Sequence, residues 1–171
     1  MYPTYARFMH RACVMGIFNS IIAPTDLGDG SAAAVHVAAA IARDSSASLC
    51  IMHVYAVPAT VFGVYPMLAA LAPSLPLQEA ADAALRDWTR RLGLEVVPDL
   101  ITRPGPVPET ILDDVETRNA DLVVIGTHVH HLRSPIIGGV AQKVIRASPV
   151  PVLTVRPETA TRARARRANT R

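Results

Sequence analysis

Aromatic residues are scarce in this chain, 5% of a composition that is 50% hydrophobic, so its core is built from Ala, Val, Leu and Ile. That disfavours an aromatic-rich β-sandwich and favours helices packed closely on a sheet. Unbroken apolar runs of the roughly 18–20 residues that a membrane span needs are also missing. The nearest stretch, Val57 to Leu77, is interrupted by Pro58, Pro66, Pro73 and Pro76 and reads as a long apolar loop, suited to a lid or a partner surface. There are two cysteines, Cys13 and Cys50, which form neither a metal pattern nor a disulfide framework. Cys50, in a strand-like apolar run, is expected to pack as a small hydrophobe. The N-terminus lacks the long apolar core and small-residue cleavage site of a signal peptide. These absences point to a reducing, cytoplasmic setting without membrane attachment. There is no G-x-S-x-G elbow and no full Walker A motif, which removes the usual serine-hydrolase and P-loop classes.

What charge there is lies unevenly. From Pro157 onward, five arginines face one glutamate, so the tail carries +4 of a net +3 and the preceding 156 residues carry about −1. Such a tail is read as a solvated, disordered end; without interleaved aromatics it does not specify a nucleic-acid partner. The chain divides into an N-terminal extension (1–17), an α/β domain (18–157) and the basic tail (158–171), with Met15 an alternative start. At 171 residues it has room for one well-cored domain.

Periodicity then alternates along the domain. "SIIAPTD" reads as a strand. "SAAAVHVAAAIARD" reads as an Ala-rich helix with Ser31 as N-cap and Ala34, Val37, Ala38, Ile41 and Ala42 inward. "ASLCIMHVYAV" is a strand covered on both faces. "LQEAADAALRDWTRRLGL" is an amphipathic helix with Ala80, Ala84, Leu85, Trp88 and Leu92 inward and Gly93 as its stop. "LEVVPDLITR" contains Pro98 and therefore belongs at a sheet edge. "PVPETILDDVETRNA" is a helix facing inward through Ile111, Leu112 and Val115, with Glu109 complementing its first turn and Asp113 and Asp114 on the solvated side. "DLVVIG" is a buried strand. "GGVAQKVIRAS" is a helix with Val140, Ala141, Val144, Ile145 and Ser148 inward, and "VPVLTVR" is the last strand. This order gives a three-layer open α/β sandwich, a five-stranded parallel sheet with helices on both faces. Ligands of such sheets bind at the carboxyl ends of the strands, where strand order reverses.

The blocks "IIAPTD", "LCIMHV", "GPVPETIL" and above all "ADLVVIGTH…GGVAQKVIRASPVPVLTVR" resemble the universal stress protein (UspA-like) family from Ser20 to Arg156. The resemblance implies strand order 3-2-1-4-5 and a dimeric stress-response module. It also implies an adenine-nucleotide (ATP, with Mg²⁺) site carried over, position by position, to Pro24, Thr25, Asp26, Val54, Ile125, Gly126, Val129, Gly138, Gly139 and Val140. Asp26 suits a ribose hydroxyl, and the glycine-opened helix suits phosphate, through unpaired N–H groups and its positive dipole end.

The family's nucleotide signature is G-x-x-G, nine residues, then G-S/T, and this chain departs from it in three places. Val129 stands for the second glycine, Gly139 for the Ser/Thr, and the loop is eight residues long. A valine is a poor substitute where positive φ or close phosphate approach is needed. A lost hydroxyl bond to a charged group costs about 1.5–3 kcal/mol. Arg133 and Ser134 are candidates for replacement contacts. His128, His130 and His131 suggest a metal, but the loop has no Cys, Asp or Glu to complete a set. His53 is expected as a packed strand-end residue and His36 as an exposed one. No residue is assigned a catalytic or metal-binding role. The leading expectation is a dimeric regulatory module with a modified nucleotide loop, pairing through the edge strand Val150 to Arg156. The alternatives are a nucleotide-independent dimerisation and protein-interaction module and, after it, a slow ATPase.

Overall fold

Five short apolar runs become one all-parallel sheet of order β3-β2-β1-β4-β5. A computed structural model describes residues 17–55, 76–127 and 138–156. In chain order the elements are β1 (Ser20–Thr25), α1 (Asp29–Ser45), β2 (Ser48–Tyr55), α2 (Pro76–Leu92), β3 (Asp99–Pro104), α3 (Val107–Thr117), β4 (Leu122–Gly126), α4 (Gly139–Ala147) and β5 (Val152–Val155). The expected architecture and strand order are therefore those observed. Alternate strand residues supply two cores. Ile21, Ala23, Leu49, Ile51 and Val124 pack under α1 and α2, whereas Ile22, Cys50, Met52, Val123 and Ile125 pack under α3 and α4. β3 is an edge as Pro98 required, with the proline just ahead of the strand.

Helix phases differ from expectation in instructive ways. In α1 the buried hydrophobic residues are Ala33, Ala34, Val35, Ala38, Ala39 and Ala42, while Val37 and Ile41 are only partly buried. This helix is apolar on several sides, so hydrophobicity alone does not choose its inner face. It lies over both β1 and β4, where the smallest side chains allow the closest approach. Ser31 is not its N-cap: Gly28 is, and Ser31 sits inside the first turn. In α2 the large Leu85 and Trp88 set the phase, so Ala81 and Thr89 go in and Ala80 and Ala84 go out. Leu112 of α3 is half-buried, and α4 buries Ala141 and Val144 but leaves Val140 and Ile145 exposed. Helix ends were less visible than helix faces. Gly93 has φ +58 as expected of a stop, yet Ser46 and Asn119 take the same left-handed role after α1 and α3.

Asp114 corrects a further expectation. It is 5% exposed rather than solvated, and its carboxylate accepts hydrogen bonds from Arg103 on β3 and Arg118 after α3. Arg118 reaches on to Asp99 at 2.7 Å, so this charge chain ties α3 to the edge strand. Sequence adjacency put Asp113 and Asp114 together, but one residue is 100° of helix, enough to separate outside from inside. Cys50 packs as expected: it is buried, and loss of hydration pushes its thiol up to about 11, so it is protonated and inert at neutral pH.

Candidate functional site

The site begins where the central ladder stops. β1 stays in register with β2 from Ser20↔Ser48 to Thr25↔His53, but it pairs with β4 only at Ile21↔Leu122 and Ile22↔Val123. Beyond that point β1 runs on through Pro24, which has no N–H to give a ladder. A proline in a central strand is thus accommodated where one side has already parted. β2 and β3 build outward on one side of β1, and the chain then crosses back to place β4 and β5 on the other, so the gap between β1 and β4 is the topological switch point.

A cleft of about 370 Å³ fills this gap. Pro24, Thr25 and Asp26 line it from the end of β1, Val54 from β2, Ile125 and Gly126 from β4, and Gly138, Gly139 and Val140 from the start of α4. Nine of the ten expected positions thus come together from four separate segments. The tenth, Val129, lies outside the described residues, as do His128, His130, His131, Arg133 and Ser134. The cleft also takes in residues that motif matching passed over: Gly30 and Ser31 from α1, Met52 and His53 from β2, and Val107 and Ile111 from α3. Strand alternation could have flagged Met52, two positions before Val54 on the same face. Nothing local could have flagged Ile111, which arrives through the packing of α3.

The lining is divided by chemistry. Met52, Val54, Ile111 and Ile125 are buried and apolar, whereas Asp26 is exposed at the rim. At the rim the backbone turns sharply, with Leu27 at φ 62, uncommon for a residue of that size. Side chains brace the turn. Leu27 N–H donates to Thr25 Oγ1 at 2.9 Å and Gly28 N–H to Asp26 Oδ1 at 3.0 Å. Ser31 Oγ lies 2.8 Å from Thr25 Oγ1, 2.7 Å from Asp26 Oδ1 and 2.9 Å from the Gly28 carbonyl. His53 is half-buried, with Nδ1 2.9 Å from the Thr25 carbonyl oxygen. A carbonyl only accepts, so Nδ1 carries a proton and donates it.

The opposite wall is a helix start. Gly138 caps α4 without any side-chain hydrogen bond, and the first turn of α4 has no acidic residue. Its free N–H groups and dipole therefore offer an anion-favouring end. Among the described residues, nothing lies within 4 Å of where a Cβ on Gly139 would stand. Among the described residues no group of three His, Cys, Asp or Glu side chains is placed to hold a metal, and no helix is long and apolar enough to cross a membrane.

Comparison with known proteins agrees with this architecture. The universal stress protein A homolog 1 of Coxiella burnetii is 26% identical over 145 residues, spanning 81% of this chain and 96% of that protein. UspA from Lactobacillus plantarum superposes with a TM-score of 0.63 at 24% identity, over 81% of this chain and 97% of its own. A universal stress protein crystallised in complex with cAMP gives a TM-score of 0.58 at 24% identity, over 82% of this chain and 98% of that one. The model of the universal stress protein family matches residues 18–156, the whole of the sheet and its helices, and the chain therefore belongs to that family.

Proposed function

We propose that this protein is a stress-response regulatory module whose β1–β4 cleft binds an adenine nucleoside or nucleotide, occupancy being the signal. The observation that carries the reading is a cleft at the β1–β4 switch point with an apolar floor, a carboxylate rim and a helix N-terminus opposite. A purine ring fits the floor, a ribose hydroxyl suits Asp26, and phosphate suits the start of α4. The cAMP complex of a structurally similar family member is consistent with this class of ligand. Phosphate is held less firmly than the family pattern provides, since Gly139 brings no hydroxyl to the helix start. Mg²⁺ would come with the phosphates, because Asp26 is the one carboxylate among the described residues lining the cleft. The same feature gives little support to a slow ATPase, which needs a base beside the phosphate end.

The lack of a hydroxyl at Gly139 also favours a second reading, in which the fold serves as a nucleotide-independent interaction module. Ligand-dependent melting separates the two. A micromolar binder in millimolar adenine nucleotide gains roughly 4 kcal/mol, a rise on the order of 10 °C for a domain of this size. No shift with AMP or ATP–Mg²⁺, and no adenine nucleotide released on denaturing the purified protein, would leave the interaction-module reading. A Gly139→Ser, Val129→Gly double variant that gains a larger ATP shift than the wild type would trace the weakness to the loop substitutions.

In either reading we propose a homodimer built on the strand from Val150 to Arg156. Among the described residues β5 pairs with β4 alone, and Leu153 is 38% exposed on it. A half-apolar strand with one unpaired edge is a template for a second copy.

A further inference from the structure

We propose that Ser31 is a positioning residue that aims the Asp26 carboxylate at the sugar of a bound nucleoside, and so sets discrimination between ribose and deoxyribose. The inference rests on the nucleoside reading of the cleft and extends it to a residue outside the family's nucleotide signature. Proton accounting fixes the direction of the bonds. The Ser31 hydroxyl has one proton and two neighbours that can only accept, Asp26 Oδ1 at 2.7 Å and the Gly28 carbonyl at 2.9 Å. Its contact with Thr25 Oγ1 at 2.8 Å must then be donated by Thr25, which in turn accepts from Leu27 N–H. The result is a one-way chain, Leu27 N–H to Thr25 and Thr25 to Ser31, with the one Ser31 proton shared between Asp26 Oδ1, the nearer acceptor, and the Gly28 carbonyl. Both hydroxyl residues are 7% exposed, while Asp26 stands at the exposed rim. Buried, fully committed hydroxyls thus hold one oxygen of an exposed carboxylate, as Gly28 N–H does from the other flank. Without Ser31 the carboxylate loses a buried brace and gains rotational freedom that a ligand must remove.

The test compares AMP with its 2′,3′-dideoxy analogue, by calorimetry, on the full chain. Wild type is expected to bind AMP about tenfold more tightly than the dideoxy ligand. Ser31→Ala should lose most of that ratio through weaker AMP binding alone, with dideoxy affinity unchanged, and Ser31→Thr should restore it. Thr25→Val, which removes the donor to Ser31 at similar volume, should shift the ratio in the same sense if Ser31→Ala does not fold. Equal loss for both ligands would mark Ser31 as merely structural, and an unchanged ratio would show that Asp26 needs no such brace. Either result overturns the role alone. Equal wild-type affinity for the two ligands shows that Asp26 does not read the sugar and overturns it as well. Wild-type binding of neither ligand overturns the nucleoside reading and this role together.

Discussion

A Cβ on Gly126 would stand 2.9 Å from the Gly30 carbonyl oxygen, 3.2 Å from the Gly30 carbonyl carbon and 3.4 Å from Ser31 Cα. All three are backbone atoms at the start of α1, so no side-chain rotation relieves the clash. The first glycine of the family signature therefore serves helix–sheet packing here, whatever it contributes to a ligand. Gly126→Ala is expected to push α1 off β4 and cost about 1–3 kcal/mol in urea unfolding. It should also weaken nucleotide binding by displacing Ser31. A Gly126→Ala protein as stable as wild type would show that the two backbones have room to part. Gly139 is the contrast: with none of the described residues crowding its Cβ position, a serine there should leave unfolding within about 0.5 kcal/mol of wild type.

At the scale of elements, the start of β1 is locked to β4 by one side chain. Asp121, just before β4, accepts from Asn19 N–H at 2.7 Å, from Ser20 N–H at 3.0 Å and from the Asn19 amide at 3.1 Å. Partial burial pushes its carboxyl up, but these donors outweigh that and hold it below the ordinary 3.8. A carboxyl depressed in the folded state stabilises fully above its unfolded value and ceases to do so as pH falls through the lower folded value. Asp121→Asn should therefore cost about 1–2 kcal/mol at neutral pH. In denaturant titrations of both proteins, the difference should shrink below about pH 3.8. A difference that stays constant with pH would mean that the charge on Asp121 is irrelevant to the lock. The lock holds the amino end of the β1–β4 pair, leaving the carboxyl end to open into the cleft.

For the molecule as a whole, the two edges of the sheet differ. β3 begins after Pro98, ends in Pro104 and carries Asp99 and Arg103, whose charges are tied to Arg118 and Asp114, all poor material for a new ladder. β5 is flanked by Pro151 and Arg156, but within Val152–Val155 it carries neither a proline nor a charge. Under the proposed homodimer, Leu153→Lys should convert a dimer to a monomer in light scattering while leaving the circular dichroism spectrum unchanged. A wild-type monomer, or a Leu153→Lys dimer as tight as wild type, would place any self-association elsewhere. Because the cleft opens between β1 and β4, away from that edge, the variant should bind nucleotide as wild type does.

The sequence by itself determined the alternation of strands and helices and the edge position of β3, and its resemblance to the family supplied the expected cleft positions. These are legible because strand apolarity, helix period and Pro or Gly punctuation are local properties, and the motif residues lie at the ends of elements. Only the tertiary structure decided which face of an all-round apolar helix goes in, which of two adjacent aspartates is buried, and which partners Ser31 takes. Ser31 looked like a helix cap because caps are read from neighbours along the chain. Its actual partners are set by where β1 parts from β4 and by how closely α1 settles on Gly126, distances that depend on the packing of three elements at once.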